Sequence, residues 1–340
     1  MASKQKKALP SPMQIVADQW ASWRTSTLAA AVELDVFTAI DRGECTPAEV
    51  ASHAKADESA TRRLLDALVA MKYLTRRGDR YALAPFARTY LSRDSELFME
   101  GYDQVARMLS MGWQQLTQVV RSGRPIFGDG AAPAPGDFFA VLVKTIFPQN
   151  YVGAKAVARG LPPAARRRIK NILDIGGGAG AWSISIAEEI PGSRVTVVDL
   201  PEVTAVTGQY AERYGVADRF EYREGNFREV EFGNEQFDLA ILGHIFHGEG
   251  VQWGKHLLAR CAAALRSKGM LLIAELIPNE DRSGPVTPLL FDLNMMIHTP
   301  EGGTYTMREY RQWLKDAGFG AIRTIKSAAA PSPLILAVKP

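Results

Sequence analysis

Two short stretches of this sequence carry residue types and spacings that could do chemistry. The first is Leu173-Asp174-Ile175-Gly176-Gly177-Gly178-Ala179-Gly180, an apolar run that ends in glycines with one carboxylate ahead of them. Glycines after a strand let the backbone turn tightly and let a ligand come close to it. The second is Gly243-His244-Ile245-Phe246-His247-Gly248-Glu249, where two histidines follow an apolar run; Glu275 ends the next such run. Imidazole changes charge near neutral pH, so a histidine at a strand end beside a carboxylate suits proton transfer.

The glycine stretch points to a nucleotide-containing cofactor. A dinucleotide fingerprint would set a pyrophosphate against the N-terminus of the next helix. Asp174 argues for another ligand: a nearby carboxylate suits the sulfonium and methionine end of S-adenosylmethionine better than it suits a pyrophosphate. Asp174, Gly176 and Gly178 are therefore expected to bind S-adenosylmethionine, with S-adenosylhomocysteine as the product. Asp199 ends the next β-branched run, where a carboxylate can accept hydrogen bonds from both ribose hydroxyls, and Leu200 follows it. Gly225-Asn226-Phe227 comes after a third run and offers an amide and a ring to adenine, and Gly243 closes the fourth. A helix cap at Asp199, and loop or core roles for Asn226 and Phe227, are the alternative uses of those residues.

Methyl transfer from a cationic sulfur is an in-line displacement. It needs a nucleophile held near the methyl carbon, and a base if the acceptor is a hydroxyl. A phenol ionises near ~10 unaided, so an imidazole can assist it near neutrality. His247 is the expected base, with His244 in reserve and Glu275 orienting and charge-pairing the imidazole. No spaced set of His, Cys, Asp and Glu calls for a metal.

The elements that must hold these residues are legible as two textures. From residue 169 onward, apolar runs at Ile172–Ile175, Arg194–Asp199, Phe237–Leu242 and Met270–Ala274 alternate with helical segments around 180–190, 202–214 and 251–266. That alternation predicts a doubly wound, Rossmann-like α/β sheet with parallel strands buried on both faces. Pro333–Val338 is a candidate last strand. In such sheets ligands sit beyond the carboxyl ends of the strands, where both stretches fall. The first hundred residues read differently. A helix is expected over 20–41 and another after the capping box Thr46-Pro47-Ala48-Glu49. A third carries Leu64, Leu65, Leu68, Val69 and Met71, and a hairpin turns at Arg76-Arg77-Gly78-Asp79. This is a mainly helical winged-helix pattern. Residues 95–160 look helical again, broken at Ser122–Pro125 and by the loop Gly128–Gly136. The expected division is 1–100, 101–168 as a helical connector, and 169–340.

Composition sets limits on partners. A formal net charge of +3, with acids and bases interspersed, gives no nucleic-acid footprint, and Arg166–Lys170 reads as a solvated linker. No apolar stretch follows the basic residues Met1–Lys7 as in a signal peptide, and none is long enough to span a bilayer. The two cysteines, Cys45 and Cys261, lack disulfide or ligand spacing, which fits a reducing cytoplasm.

Taken in order, these motifs resemble the plant-type small-molecule O-methyltransferases, the caffeic acid and acetylserotonin class, and their bacterial relatives. The resemblance rests on Leu173–Gly180, Val198-Asp199-Leu200-Pro201, Gly225-Asn226-Phe227, the His247 region, Ala274-Glu275, and Thr306-Met307-Arg308-Glu309-Tyr310 leading to Ala317-Gly318-Phe319. It implies a homodimer formed through the N-terminal domain and an aromatic or polyketide-like acceptor. His247 would be the base and Glu275 one of two flanking acids. It also implies an acceptor pocket lined by Phe147, Asn150 and Tyr151 on one helix and by Asn294, Met295 and His298 on another. One position departs: the second acid falls on Thr304, which cannot stabilise an imidazolium by charge. That leaves methyl transfer to carbon or nitrogen, or lost transfer, as alternatives. A ligand-responsive DNA-binding regulator is the alternative from another class, but its recognition helix would have to spend Leu64, Leu65, Leu68 and Val69 on an exposed face.

Overall fold

The computed structural model describes residues 11–126, 135–325 and 333–340; the basic Met1–Lys7 run and most of the Gly128–Gly136 loop lie outside them. The chain divides into two compact units. One runs to Phe98 and takes in Tyr102–Met108; the other comprises Met99–Gly101 and Leu109–Pro340.

The first unit holds helices α1 (Met13–Glu33), α2 (Val36–Asp41), α3 (Pro47–Ala54) and α4 (Glu58–Ala70), hairpin strands β1 (Leu74–Arg77) and β2 (Arg80–Leu83), α5 (Pro85–Leu91), and the start of α6 (Tyr102–Trp113). The single helix expected over 20–41 is two. Asp35 takes a left-handed conformation, φ 56°, and ends the first. The break turns Val36, Phe37 and Ile40 into the same core as Leu28 and Val32, with Leu65, Leu68 and Tyr81 completing it. The capping box forms as its residues dictate. Thr46 Oγ1 accepts from the Glu49 N–H, and Glu49 accepts from the Thr46 N–H at 2.8 Å. Gly78, at φ 65°, makes the tight turn that pairs Arg77 with Arg80.

The second unit adds α7 (Leu116–Ser122), α8 (Pro135–Gly160), α9 (Pro163–Arg168), β3 (Asn171–Ile175), α10 (Ala181–Glu189), β4 (Arg194–Asp199), α11 (Pro201–Arg213), β5 (Phe220–Glu224), β6 (Phe237–Gly243), α12 (Gly250–Ala264), β7 (Leu265–Ala274), α13 (Val286–His298), α14 (Met307–Asp316), β8 (Gly320–Ile325) and β9 (Leu334–Val338). The stretch expected as a connector, 101–168, is thereby divided. α6 straddles both units, and α7, α8 and α9 fall in the second, where α8 packs along α10 and α11.

The sheet order is β5-β4-β3-β6-β7-β9-β8, the first five strands parallel. The final run is indeed a strand, but antiparallel, inserted between β7 and β8. β8 was not anticipated, because its residues are only partly buried and carry little apolar signal. Leu173, Ile175, Ala240, Leu242, Leu271 and Ile273 alternate into one core with Leu257, Leu258 and Cys261 of α12 and Tyr310 and Trp313 of α14. Each fully buried Leu or Ile among them contributes about 1.5–3 kcal/mol. Strand order reverses between β3 and β6, so the crevice this topology creates opens where Gly176 and His244 begin their loops. Among the described residues, no helix is long and apolar enough to cross a membrane.

Candidate active site

The glycine loop leaves β3 with Gly176, Gly178 and Gly180 all at positive φ, 60°, 58° and 77°. All three also face close neighbours, Gly180 meeting Ile184 and Thr207. A side chain at 176 would collide with Ile245, and a Cβ at 178 would stand 3.1 Å from Val143 of α8. Asp199, at the end of β4, binds this loop to its neighbours. One carboxylate oxygen accepts from the Gly178 N–H at 2.9 Å and the other from the Leu200 N–H at 2.8 Å. Its carbonyl accepts from the Gly225 N–H at 2.9 Å. Burial raises the Asp199 carboxyl above its ordinary range, and the two N–H donors oppose that rise.

Asp174 lies wholly inside. Burial pushes its carboxyl up to about 7, with the hydrogen bonds of Ser183 opposing and the Asp199 charge adding. Its Oδ2 is buried with no hydrogen-bond partner among the described residues. The same is true of the indole N–H of Trp182, in the first turn of α10. That ring lies against Gly243, where a Cβ would meet it at 2.6 Å. Sequence reasoning passed over Trp182; the signal was a large aromatic directly after the glycines. Buried polar groups in native proteins are nearly always satisfied, so these two ask for a ligand donor and acceptor. An ammonium and a carboxylate supply both. Together with the glycine cradle, this chemistry fits the methionine end of S-adenosylmethionine.

Asn226 and Phe227 sit at the end of β5, partly occupied by their own loop. The Asn226 side-chain oxygen accepts from the Arg228 N–H at 2.9 Å, and Phe227 packs on the sheet core while its carbonyl takes the Arg260 guanidinium. The loop role held open for them is thus present in the structure.

Beyond β6 the chain turns sharply. His244 adopts φ 63°, uncommon for a residue with a side chain, while its N–H continues the ladder to Ala274 at 2.9 Å. His247 follows in a short 3₁₀ turn, and its ring packs edge-on against Phe291 of α13 at 4.8 Å. Its Nδ1 lies 2.7 Å from Glu275 Oε2, and its backbone N–H donates to Oε1 at 3.2 Å. The carboxylate makes Nδ1 the donor, so Nε2 carries the lone pair. Burial would raise Glu275, but the charge and hydrogen bonds of His247, aided by His244, hold it below the usual glutamate range. The His244 ring is lowered chiefly by burial, so it stays neutral. The sequence offers no spaced ligand set, yet the fold brings donor atoms of His244, His247 and Glu275 within 4.8 Å of one another. The short Nδ1–Oε2 bond gives two of them a proton-handling arrangement.

Thr304, buried, meets an acid of another element. Its N–H and hydroxyl both donate to Asp292 Oδ1, at 2.6 and 3.1 Å. Of the residues expected to line the acceptor pocket, Asn294 accepts from the Trp113 indole at 3.1 Å, His298 packs at Gly112 of α6, and Met295 is buried. Phe147 and Tyr151 stack on each other at 5.3 Å and pack against Tyr210 and Tyr214. The reason is their i, i+4 spacing on the α8 face that packs on α10 and α11. Asn150 is also buried, but its side-chain oxygen has no partner among the described residues. Cavities lined by Asn171, Arg194 and Arg266, and by Pro162, Asp238 and Lys268, lie at the opposite ends of the strands from these groups.

Residues 156–320 match the family model described as an O-methyltransferase domain, and residues 20–93 the one described as an O-methyltransferase dimerisation domain. The chain is 32% identical over 318 residues to the 3-hydroxy-5-methyl-1-naphthoate 3-O-methyltransferase of Streptomyces sahachiroi, spanning 90% of this chain and 89% of that one. It is 29% identical over 337 residues to the tetracenomycin polyketide synthesis 8-O-methyltransferase of Streptomyces glaucescens, 97% of each. Among solved structures, human N-acetylserotonin methyltransferase in complex with S-adenosylmethionine matches with a TM-score of 0.82 at 26% identity, covering 100% of this chain and 99% of that one.

Proposed function

Because the chain belongs to the O-methyltransferase family and is an S-adenosylmethionine-dependent O-methyltransferase, we propose that it methylates a hydroxyl on an aromatic, polyketide-like small molecule, with His247 as the base. The observation that carries the assignment of roles is the 2.7 Å bond between His247 and Glu275 at the ends of adjacent parallel strands.

The bound cofactor supplies a methyl group on a cationic sulfur. The residues proposed to hold it are Asp174, Gly176, Gly178, Trp182, Asp199, Leu200, Gly225, Asn226, Phe227 and Gly243. His247 Nε2 accepts the hydrogen bond of the acceptor hydroxyl and then its proton, so the oxygen attacks as a phenolate. Glu275 fixes the ring through Nδ1 and stabilises the imidazolium that results. Asn150, Phe291, Asn294 and Met295 are the proposed acceptor contacts. His244 is a spectator held neutral by burial. The naphthoate and tetracenomycin specificities of the two bacterial relatives support a fused aromatic acceptor. A homodimer is supported by the dimerisation-domain match and by the exposed Ile15, Trp20 and Trp23 on α1.

Calorimetry with S-adenosylhomocysteine, followed by a screen of hydroxynaphthoates and related phenols with a methyl-labelled donor, tests this reading. Product labelled on oxygen, lost in His247→Ala, is the expected result. Label on carbon or nitrogen would refute the proposed chemistry.

A further inference from the structure

We propose that Asp292 is a positioning residue for the base: through Thr304 it holds the strap Gly302–Thr304, which in turn grips the main chain of His247. The proposal rests on the reading of His247 as the base.

The strap is anchored at every point. The Gly303 N–H donates to the His247 carbonyl at 2.8 Å, and a side chain at Gly302 would collide with that same carbonyl. The Gly302 N–H donates to Thr299 Oγ1 at 2.9 Å, just past α13. Thr304 is bound on both sides of its backbone. Its N–H and hydroxyl reach Asp292 Oδ1, and its carbonyl accepts from Arg282 Nη1 at 3.1 Å. Arg282 Nη2 pairs with Asp292 Oδ2 at 2.7 Å, which closes the ring of contacts. Arg282 holds φ 54° to do so, a conformation that costs free energy and persists only where its surroundings fix it. Asp292 also follows Phe291, whose ring lies against the imidazole.

Asp292 therefore does not act as a second charge beside the base, since Arg282 takes its charge. Its contribution is geometric: α13, which carries the proposed acceptor contacts, sets where the imidazole stands. Among the described residues, Glu275 just past β7 and His244 from the same loop interact with His247, and Tyr305 directly follows the strap. Tyr305 is pushed up to about 12, by burial first and then by Asp292 and Glu275, so it stays neutral in the working range.

If the role is to place the base, its loss matters only where the acceptor needs one. The test is steady-state kinetics of wild type, Asp292→Ala, Asp292→Glu, Thr304→Val and His247→Ala. Two phenols are compared, one weakly acidic and one already ionised at the assay pH, with S-adenosylhomocysteine calorimetry alongside. For the weakly acidic phenol we expect Asp292→Ala to lower kcat roughly 10- to 100-fold, the usual cost of a misplaced catalytic group. Cofactor affinity should not change. The deficit should shrink to a few-fold for the ionised phenol, and also as pH rises toward the ionisation of the weaker one at ~10. Asp292→Glu should recover part of the rate. Thr304→Val, which keeps the N–H bond, should fall between wild type and Asp292→Ala, and it carries the test if Asp292→Ala does not fold. A loss equal for both phenols at every pH, or no loss, overturns the proposal. If His247→Ala keeps wild-type rates on the weak phenol, the base reading itself fails. If His247→Ala is dead while Asp292→Ala is unimpaired, only the positioning role fails.

Discussion

The cofactor edge and the acceptor edge of the second unit are built by different means. Between β3, β4 and β5 the shape comes from backbone: three glycines at positive φ, and one carboxylate that collects N–H groups from Gly178 and Leu200. Around α13 it comes from side chains choosing partners on other elements, Trp113 of α6 with Asn294 and Asp292 with Thr304 of the following loop. A backbone-built site depends on a few residue types at fixed spacing. A side-chain-built site depends on helix rotation and loop path, which leave no short motif. His247 belongs to both, because its loop leaves β6 while its ring and carbonyl are held from β7 and α13.

If the two edges are separable, damage at one should spare the other. The largest effect is expected from His247→Ala. It should lower kcat by about 10²–10⁴-fold, the usual worth of a general base, with S-adenosylhomocysteine affinity unchanged by calorimetry. A parallel loss of affinity would show that the edges form one cooperative site. Asp199→Ala is the converse. The ribose hydroxyls of the ligand lose their proposed charged acceptor, an interaction worth about 1.5–3 kcal/mol. S-adenosylhomocysteine should therefore bind roughly 10- to 100-fold more weakly, while the acceptor KM at saturating cofactor stays the same.

This division also explains what the sequence made legible. The parallel strands, the glycine turn, Asp199 and the pairing of His247 with Glu275 could all be read, because burial on both faces and strand-end position leave local marks. The split at Asp35 and the strand β8 could not. A left-handed residue in an apolar stretch and a half-exposed strand at the sheet edge carry no periodic signal. The packing of Phe147 and Tyr151 with Tyr210 and Tyr214 was not legible either, since helix rotation depends on what α10 and α11 present. Asp292 escaped notice because its partner, Thr304, is on a loop whose path only the fold defines.

A smaller effect sharpens the cofactor edge. In the free protein Asp174 sits near pKa 7 because it is buried. The folded state thus holds a proton that the unfolded chain releases near ~3.9. Stability of the free protein should therefore fall as pH rises from about 4 to about 7 through this group, and level off above. Asp174→Asn should remove that slope, raising Tm of the free protein by several degrees at pH 8. It should also weaken S-adenosylhomocysteine, whose ammonium loses the charge of its acceptor. Thermal melts from pH 5 to 8, with and without ligand, check both. An unchanged slope would mean that another group sets the pH dependence.

The smallest effect separates pocket from core on α8. Phe147 is buried against Tyr151, Tyr210 and Tyr214, so Phe147→Leu removes ring contacts within a packed cluster. A substitution of that kind costs about 1–3 kcal/mol, and should lower Tm by a few degrees without moving the acceptor KM. Asn150, three residues on and pointing an unpartnered oxygen inward, should behave oppositely. Asn150→Ala should cost little stability and raise the acceptor KM several-fold. If Phe147→Leu moved KM and Asn150→Ala did not, the α8 face that meets the acceptor would be the one packed here on α11. The acceptor edge would then be as much a product of the sheet-side helices as the cofactor edge is.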